Sequence, residues 1–254
     1  MNAAYNVLGV GISPINMSQA LEQIDAWIAT QKRQYVCVCN VHSVMECRRS
    51  VEVRRVFNRA GMVTPDGMPL VWLLRMAGYS NVARVYGPDL MLAAMEHSLM
   101  TGQRHYFHGG LPGVSQELAA VMRRRFPGVA IAGTGTPEMG SAQELCNDAV
   151  AESIDQAQPD IVWIGMSSPK QDLWMSCMRP RLRAPVLIGV GAAFDFHTGR
   201  VPQAPRWMMR SGLEWLYRFK QEPRRLWRRY LIDNPWFLYD VARQKLRLRR
   251  FGMD

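Results

Sequence analysis

Nowhere in the 254 residues is there an unbroken apolar run of the length, about 18 residues, that a transmembrane helix needs. The N-terminus, Met1-Asn2-Ala3-Ala4-Tyr5-Asn6, has no basic stretch ahead of an apolar one. A secretory signal peptide is therefore not expected, and a cytoplasmic protein is. Cysteine is scarce: Cys37, Cys39, Cys47, Cys146 and Cys177 form an odd set with no Cys-x-x-Cys pair. Neither a disulfide framework nor a zinc site is expected from them, and Cys37 and Cys39 read as buried thiols on one strand face. The chain lacks Gly-x-x-x-x-Gly-Lys-Ser/Thr, which speaks against P-loop chemistry, and no Gly-x-Ser-x-Gly frame surrounds Ser167 and Ser168 to make a nucleophile elbow. His42, His105, His108 and His197 show no metal-ligand spacing. No Asp-x-Asp occurs, which removes the commonest means by which nucleotide-sugar enzymes hold a divalent cation on a diphosphate. An enzyme of this sequence that handles a diphosphate has to neutralise it with arginine, and no metal is expected.

Positive charge, by contrast, is abundant and unevenly placed. Of the net +10, +9 falls after residue 195, where 14 of the 31 Lys/Arg meet only 5 of the 21 Asp/Glu. Such asymmetry points to a polyanionic partner: nucleic acid, anionic lipid or a phosphate-bearing substrate. A hydrophobic content of 48% with 20% charged residues describes a globular protein.

The pattern predicts alternating strands and helices. Expected strands are Asn6–Gly11, Gln34–Cys39, Met62–Val63, Val82–Tyr86, His105–His108, Val129–Ala132, Asp160–Gly165 and Val186–Val190. Expected helices include Asn16–Thr30, Leu70–Met76, Gly87–Met100, Val114–Arg125 and Ala142–Ala157. Short Gly-rich loops follow the strands. This is the pattern of an α/β fold with a mainly parallel, Rossmann-like sheet, spanning residues 1–200. From 201 to 254 the alternation stops. Segments interrupted at Pro223 and Pro235 interleave arginines with Trp207, Trp215, Tyr217, Phe219, Trp227, Tyr230, Trp236 and Tyr239. They read as an appendage of two or three basic, amphipathic helices.

Met62-Val63-Thr64-Pro65-Asp66-Gly67 runs a strand into a turn ahead of a helix. In open α/β sheets ligands bind at that strand edge, so Asp66 is the first candidate for a working carboxylate; an ordinary turn residue or helix cap is the alternative. Asn40 stands at the end of another strand. Gly109-Gly110-Leu111-Pro112-Gly113 has the form of an anion cradle. Gly189-Val190-Gly191 superficially matches a dinucleotide fingerprint, but Phe194 occupies the third glycine position and the motif lies late in the chain, which argues against an oxidoreductase. Arg218, Arg224, Arg225, Arg228 and Arg229 lie within about three helical turns. Their mixture with aromatic residues suits a membrane–water interface or single-stranded nucleic acid.

Several motifs in order carry a family resemblance: Pro65-Asp66-Gly67 with Arg84 and Gly87-x-Asp89; Tyr106-Phe107-His108-Gly109-Gly110; Phe126-Pro127-Gly128; Pro159-Asp160. Pro169-Lys170-Gln171-Asp172-x-Trp174, Gly189 to Asp195, Ala204-Pro205-x-Trp207, Glu214-Trp215-x-x-Arg218 and Glu222-Pro223-x-Arg225 complete the set. From about Gln34 to Tyr230 the chain resembles the WecG/TagA/CpsF glycosyltransferases. The resemblance implies transfer of a sugar from a UDP-sugar to an undecaprenyl-diphosphate-linked saccharide, with inversion, in surface polysaccharide synthesis. The sugar would be N-acetylmannosamine, its uronic acid or glucose. It further implies action at the inner face of the bacterial membrane, docked there by the appendage. By the same resemblance Asp66 is the general base, Asn40, Arg84, Gln171, Gly109, Gly110 and Asp195 bind substrate, and Arg218, Arg225 and Arg228 or Arg229 hold the diphosphate. Val38 stands where these enzymes usually have threonine, Ser167-Ser168 replace glycine, Asp172 replaces glutamate and Gln203 replaces arginine. A nucleic-acid-binding protein using the basic tail is the alternative, and homo-oligomerisation is open.

Overall fold

A computed structural model of the chain describes residues 3–253; the side chain of Arg225 lies outside the described residues. The chain opens with a hairpin, β1 (Tyr5–Val7) and β2 (Val10–Ile12), where one strand was expected. Six parallel strands follow: β3 (Gln34–Cys39), β4 (Met62–Pro65), β5 (Arg104–Gly109), β6 (Ala130–Gly135), β7 (Ile161–Gly165) and β8 (Val186–Gly189), in spatial order β4-β3-β8-β7-β5-β6. Between them run α1 (Met17–Ala29), α2 (Val41–Arg49), α3 (Val51–Arg59), α4 (Met68–Met76), α5 (Gly87–Thr101), α6 (Val114–Arg125), α7 (Asp148–Gln156), α8 (Lys170–Met178) and α9 (Ala193–His197).

Both sheet faces are buried, and the side-chain period of two feeds each face separately. Tyr35, Cys37 and Cys39 point into one core with Val162, Ile164 and Leu187; α2, α3, α4, α7 and α8 cover it. Val36 points into the other with Ile161, Trp163 and Ile188, beneath α1, α5 and α6. The result is a three-layer α/β/α domain whose loops at the strand carboxyl ends share one edge.

Four further expectations are corrected. Val82 to Tyr86 is not a strand. Val85 N donates to Pro65 O at 3.1 Å, but Pro65 has no N–H to return, so no ladder develops beyond edge strand β4. The helix expected from Ala142 begins only at Asp148, where Asn147 Oδ1 accepts from Val150 N and caps it. Gly133 and Gly135 lie within β6 instead of a loop; a Cβ at Gly133 would meet the Tyr106 ring at 2.6 Å. Cys146 and Cys177, 31 residues apart, are joined in a disulfide that the cysteine pattern did not suggest.

The tail contains α10 (Arg206–Arg210), α11 (Glu214–Gln221), α12 (Pro223–Trp227) and α13 (Asn234–Lys245). Pro235 does not interrupt it. A π-helical turn, Arg228–Asp233, joins α12 to α13 into one continuous rod. A proline ring clashes with the carbonyl four residues back in a regular α-helix; the wider π turn moves that carbonyl aside. The tail packs against the core. Phe237 is buried in the core over α2, Asp240 pairs with Arg48, and Asp233 pairs with Arg49. Past α13 the chain returns to the hairpin. Asn6 Nδ2 donates to Phe251 O (2.7 Å), Gln244 Nε2 donates to Asn6 O (3.0 Å), and Asn58 Nδ2 donates to Met253 O (2.7 Å).

Candidate active site

The edge strand β4 delivers Asp66. Its backbone N–H donates to Cys39 O at 2.8 Å, extending the parallel ladder by one residue, and Gly67 then starts α4. The carboxylate is 8% exposed. Arg84, from the irregular segment beside β4, donates through Nη2 to Asp66 Oδ1 at 3.1 Å and through Nε to the Asp66 carbonyl. The same Nη2 donates to Glu214 Oε2 at 2.6 Å, and the guanidinium lies over the Tyr86 ring, 4.2 Å from its centroid. Glu214 is the first residue of α11, so the tail supplies a second carboxylate to the guanidinium that faces Asp66.

Electrostatics follow from this arrangement. Burial pushes the Asp66 carboxyl up to about 6; Glu214 adds to the rise, while Arg84 and Arg229 hold it back. Burial pulls Arg84 down, but the two carboxylates hold it above its ordinary range. Asp66 is therefore a carboxylate at neutral pH with an enhanced affinity for a proton, as a general base requires.

Asn40 follows β3, next to β4. Its Oδ1 caps α2 by accepting from Ser43 N at 3.2 Å, and Arg229 Nη2 approaches it at 3.4 Å. Asn40, Asp66, Arg84, Glu214, Arg218 and Arg229 all line one cavity of about 600 Å³, whose remaining walls are the start of α2, Tyr86, α4 and the tail. Arg229 enters from the π turn.

Other sequence candidates lie elsewhere on the sheet edge. Gln171 is buried and accepts from Gly191 N at 2.9 Å, tying the loop after β8 to the first turn of α8. Gly110 N is taken by Gly165 O at 2.9 Å, and a Cβ at Gly109 would lie 2.6 Å from the Gly165 backbone. Close packing of β5 on β7 thus accounts for Gly109 and for the Gly110 amide. From β4 to β5 is four strand spacings, about 19 Å, so this loop is outside the Asp66 cavity. Asp195, on α9, is not part of the cavity lining. Arg228 also lies outside the lining, its guanidinium over the Trp227 ring, and the Arg225 side chain falls outside the described residues. Sequence reasoning gave Glu214 no role and passed over the apolar walls, Trp72, Met76 and Leu238. Its place in the Glu214-Trp215-x-x-Arg218 motif was the available signal for Glu214.

Among the described residues one cluster has metal-ligand chemistry: His42, Glu46 and Asp233. Arg49 already neutralises its acids, bonding Glu46 at 2.8 Å and Asp233 more closely still. Burial and the nearby Arg229 hold His42 below its ordinary pKa.

Residues 5–251 match the glycosyl transferase WecG/TagA/CpsF family. The chain belongs to that family. It is 28% identical over 205 residues, 81% of this chain and 77% of the relative, to an N-acetylglucosaminyldiphosphoundecaprenol N-acetyl-beta-D-mannosaminyltransferase of Bacillus spizizenii. Proteins of the same description from Staphylococcus aureus (23% over 250 residues, 98% of this chain and 96% of the relative) and Bacillus subtilis (27% over 196 residues, 77% and 74%) are also similar. As a WecG/TagA/CpsF protein this chain is a glycosyltransferase, and the fold class expected from its sequence is the one observed. No helix among the described residues is long and apolar enough to cross a membrane.

Proposed function

We propose that the protein transfers an N-acetylmannosaminyl group from a UDP-sugar to N-acetylglucosamine carried on undecaprenyl diphosphate, with inversion. The acceptor class and the sugar come from the relatives' descriptions. The observation that carries the chemistry is the buried Asp66 carboxylate, sharing Arg84 with Glu214 at the inner end of a cavity that arginines also line. Asp66 takes the proton of the acceptor hydroxyl as that oxygen bonds to the anomeric carbon. The bond from that carbon to the UDP oxygen breaks, and both of its electrons leave with UDP. A positioned general base contributes about 10²–10⁴-fold. Negative charge grows on the departing diphosphate, and Arg218 is placed to stabilise it.

Arginine in this role makes a divalent ion unnecessary, and Arg49 in the His42–Glu46–Asp233 cluster disfavours binding one there. The cavity wall built by the tail suits action on a lipid-linked substrate at the inner face of the bacterial membrane. The test is UDP release from a panel of UDP-sugars with a short-chain lipid-diphosphate N-acetylglucosamine, with and without EDTA. The expected result is release with UDP-N-acetylmannosamine that survives EDTA. Release only with another sugar overturns the donor assignment, and a strict metal requirement overturns the arginine account.

A further inference from the structure

The cavity has a second character that proton transfer leaves unused. Away from Asp66 its walls are two helical stripes. Met68, Trp72 and Met76 recur at intervals of four along α4, and Phe237, Leu238 and Val241 recur at three and four along α13. The two stripes face each other across the cavity. Their outer members are open to solvent: Trp72 is 45% exposed, Met76 69% and Leu238 65%. Large apolar side chains contiguous along a groove mark a binding surface for something apolar. The tail packs against Trp72. Gly212, with φ +76°, lies against it so closely that a Cβ there would come within 2.9 Å of Trp72 Cη2. The cavity is thus amphiphilic: Asp66, Arg84, Glu214, Arg218 and Arg229 make one part of its lining charged, and the stripes of α4 and α13 make another part predominantly apolar.

Resting on the transferase reading above, we infer that the groove between α4 and α13 binds the first isoprene units of the polyprenyl diphosphate acceptor. A uridine donor is the wrong occupant for it. A nucleobase and a ribose need hydrogen-bonding partners, and Trp72, Met76 and Leu238 offer a single indole N–H among them. A polyprenyl chain ending in a diphosphate matches both halves: apolar stem on the stripes, anionic head toward Arg229, with Arg218 left to the donor's diphosphate. Methionine and tryptophan suit a chain of variable conformation, since the thioether stem adapts and the indole offers a broad flat wall. The acceptor then enters head first, and its sugar is the part carried deepest, toward Asp66. Chain recognition becomes part of acceptor specificity rather than a consequence of partitioning into a bilayer.

The experiment is binding of isoprenoid diphosphates without membrane or detergent, followed by calorimetry. The probes are farnesyl diphosphate below its micelle concentration, geranyl diphosphate and inorganic diphosphate. Wild type should bind farnesyl diphosphate at least about tenfold tighter than inorganic diphosphate, from burial of apolar surface alone. In Leu238→Asn and Met76→Ser that advantage should fall to about twofold or less. Both positions are more than half exposed, and an unchanged circular-dichroism melt verifies the fold. Equal binding of farnesyl and inorganic diphosphate by wild type overturns the proposal, as does an undiminished advantage in both variants. Binding is read without turnover, so the two readings fail separately. A groove that discriminates chains in a protein that transfers no sugar sinks the transferase reading alone. Normal transfer with no chain discrimination sinks the groove alone.

Discussion

Asp66 illustrates how one residue can be costly to the fold and useful to the site. Its carboxyl is pushed up to about 6, above the unfolded value near 4, so the folded state holds the proton more tightly. The stability this gives is present at low pH and lost as pH rises through about 6. At neutral pH the buried charge costs on the order of 2–3 kcal/mol. Asp66→Asn should therefore raise the melting temperature about half as much at pH 5 as at pH 8, while lowering transfer by about 10²-fold or more. Scanning calorimetry at both pH values and a UDP-release assay check the pair; an active variant would remove Asp66 from the mechanism. Glu214 acts on Asp66 through the shared Arg84. Replacing it by glutamine removes a charge that raises the Asp66 pKa and frees Arg84 to face Asp66 alone. Both effects lower that pKa, so the acid limb of the kcat profile should move to lower pH in Glu214→Gln. An unmoved limb, with kcat merely scaled down, would refute the coupling. The positions of Asn40 and Asp66 at strand ends were legible from local pattern, because a strand followed by a polar turn is encoded within a few residues. The Arg84–Glu214 pair, 130 residues apart in sequence, depends on the tail folding back and was not.

Among the elements, α13 and the π turn behave least as the sequence suggests. Pro235 reads as a break between segments of a basic, amphipathic appendage. The π turn absorbs the proline, and two buried aspartates face arginines of α2 across the joint. Alternating strands and helices were readable because their periods are local; the docking of α13 was not, because Phe237, Asp233 and Asp240 differ from other tail residues only in what they meet. Asp240 is 1% exposed, and Arg48 keeps some contact with solvent. Asp240→Ala should destabilise the protein by about 2–3 kcal/mol, below the cost of breaking a fully buried pair. Denaturant unfolding measures it, and a loss under about 0.5 kcal/mol would mean that α13 is held by Phe237 alone. The Val82–Tyr86 segment teaches the complementary lesson. Its apolar alternation is that of a strand, and the one missing donor at Pro65 decides otherwise.

The whole molecule is electrically lopsided, with nearly all its surplus charge after residue 195. The tail's outer surface adds exposed Trp207, Trp227, Trp236 and Tyr239, with Arg243 over the Tyr239 ring. Basic residues beside an anionic bilayer contribute about 1 kcal/mol each. Reversing Arg243, Arg247 and Arg250 to glutamate should weaken binding to phosphatidylglycerol vesicles by at least about 100-fold and leave binding to neutral vesicles unchanged. Co-sedimentation measures both, and undiminished binding to the anionic vesicles would remove the tail from membrane attachment. The clasp between the N-terminal hairpin and residues 251–253 sets a limit on how that tail can move. A wall joined to the core before α10 and again beyond α13 is a strap fastened at both ends. It cannot swing clear as a hinged lid does; it can only bow outward between its fastenings. Substrate has to enter beside the strap, through the groove between α4 and α13.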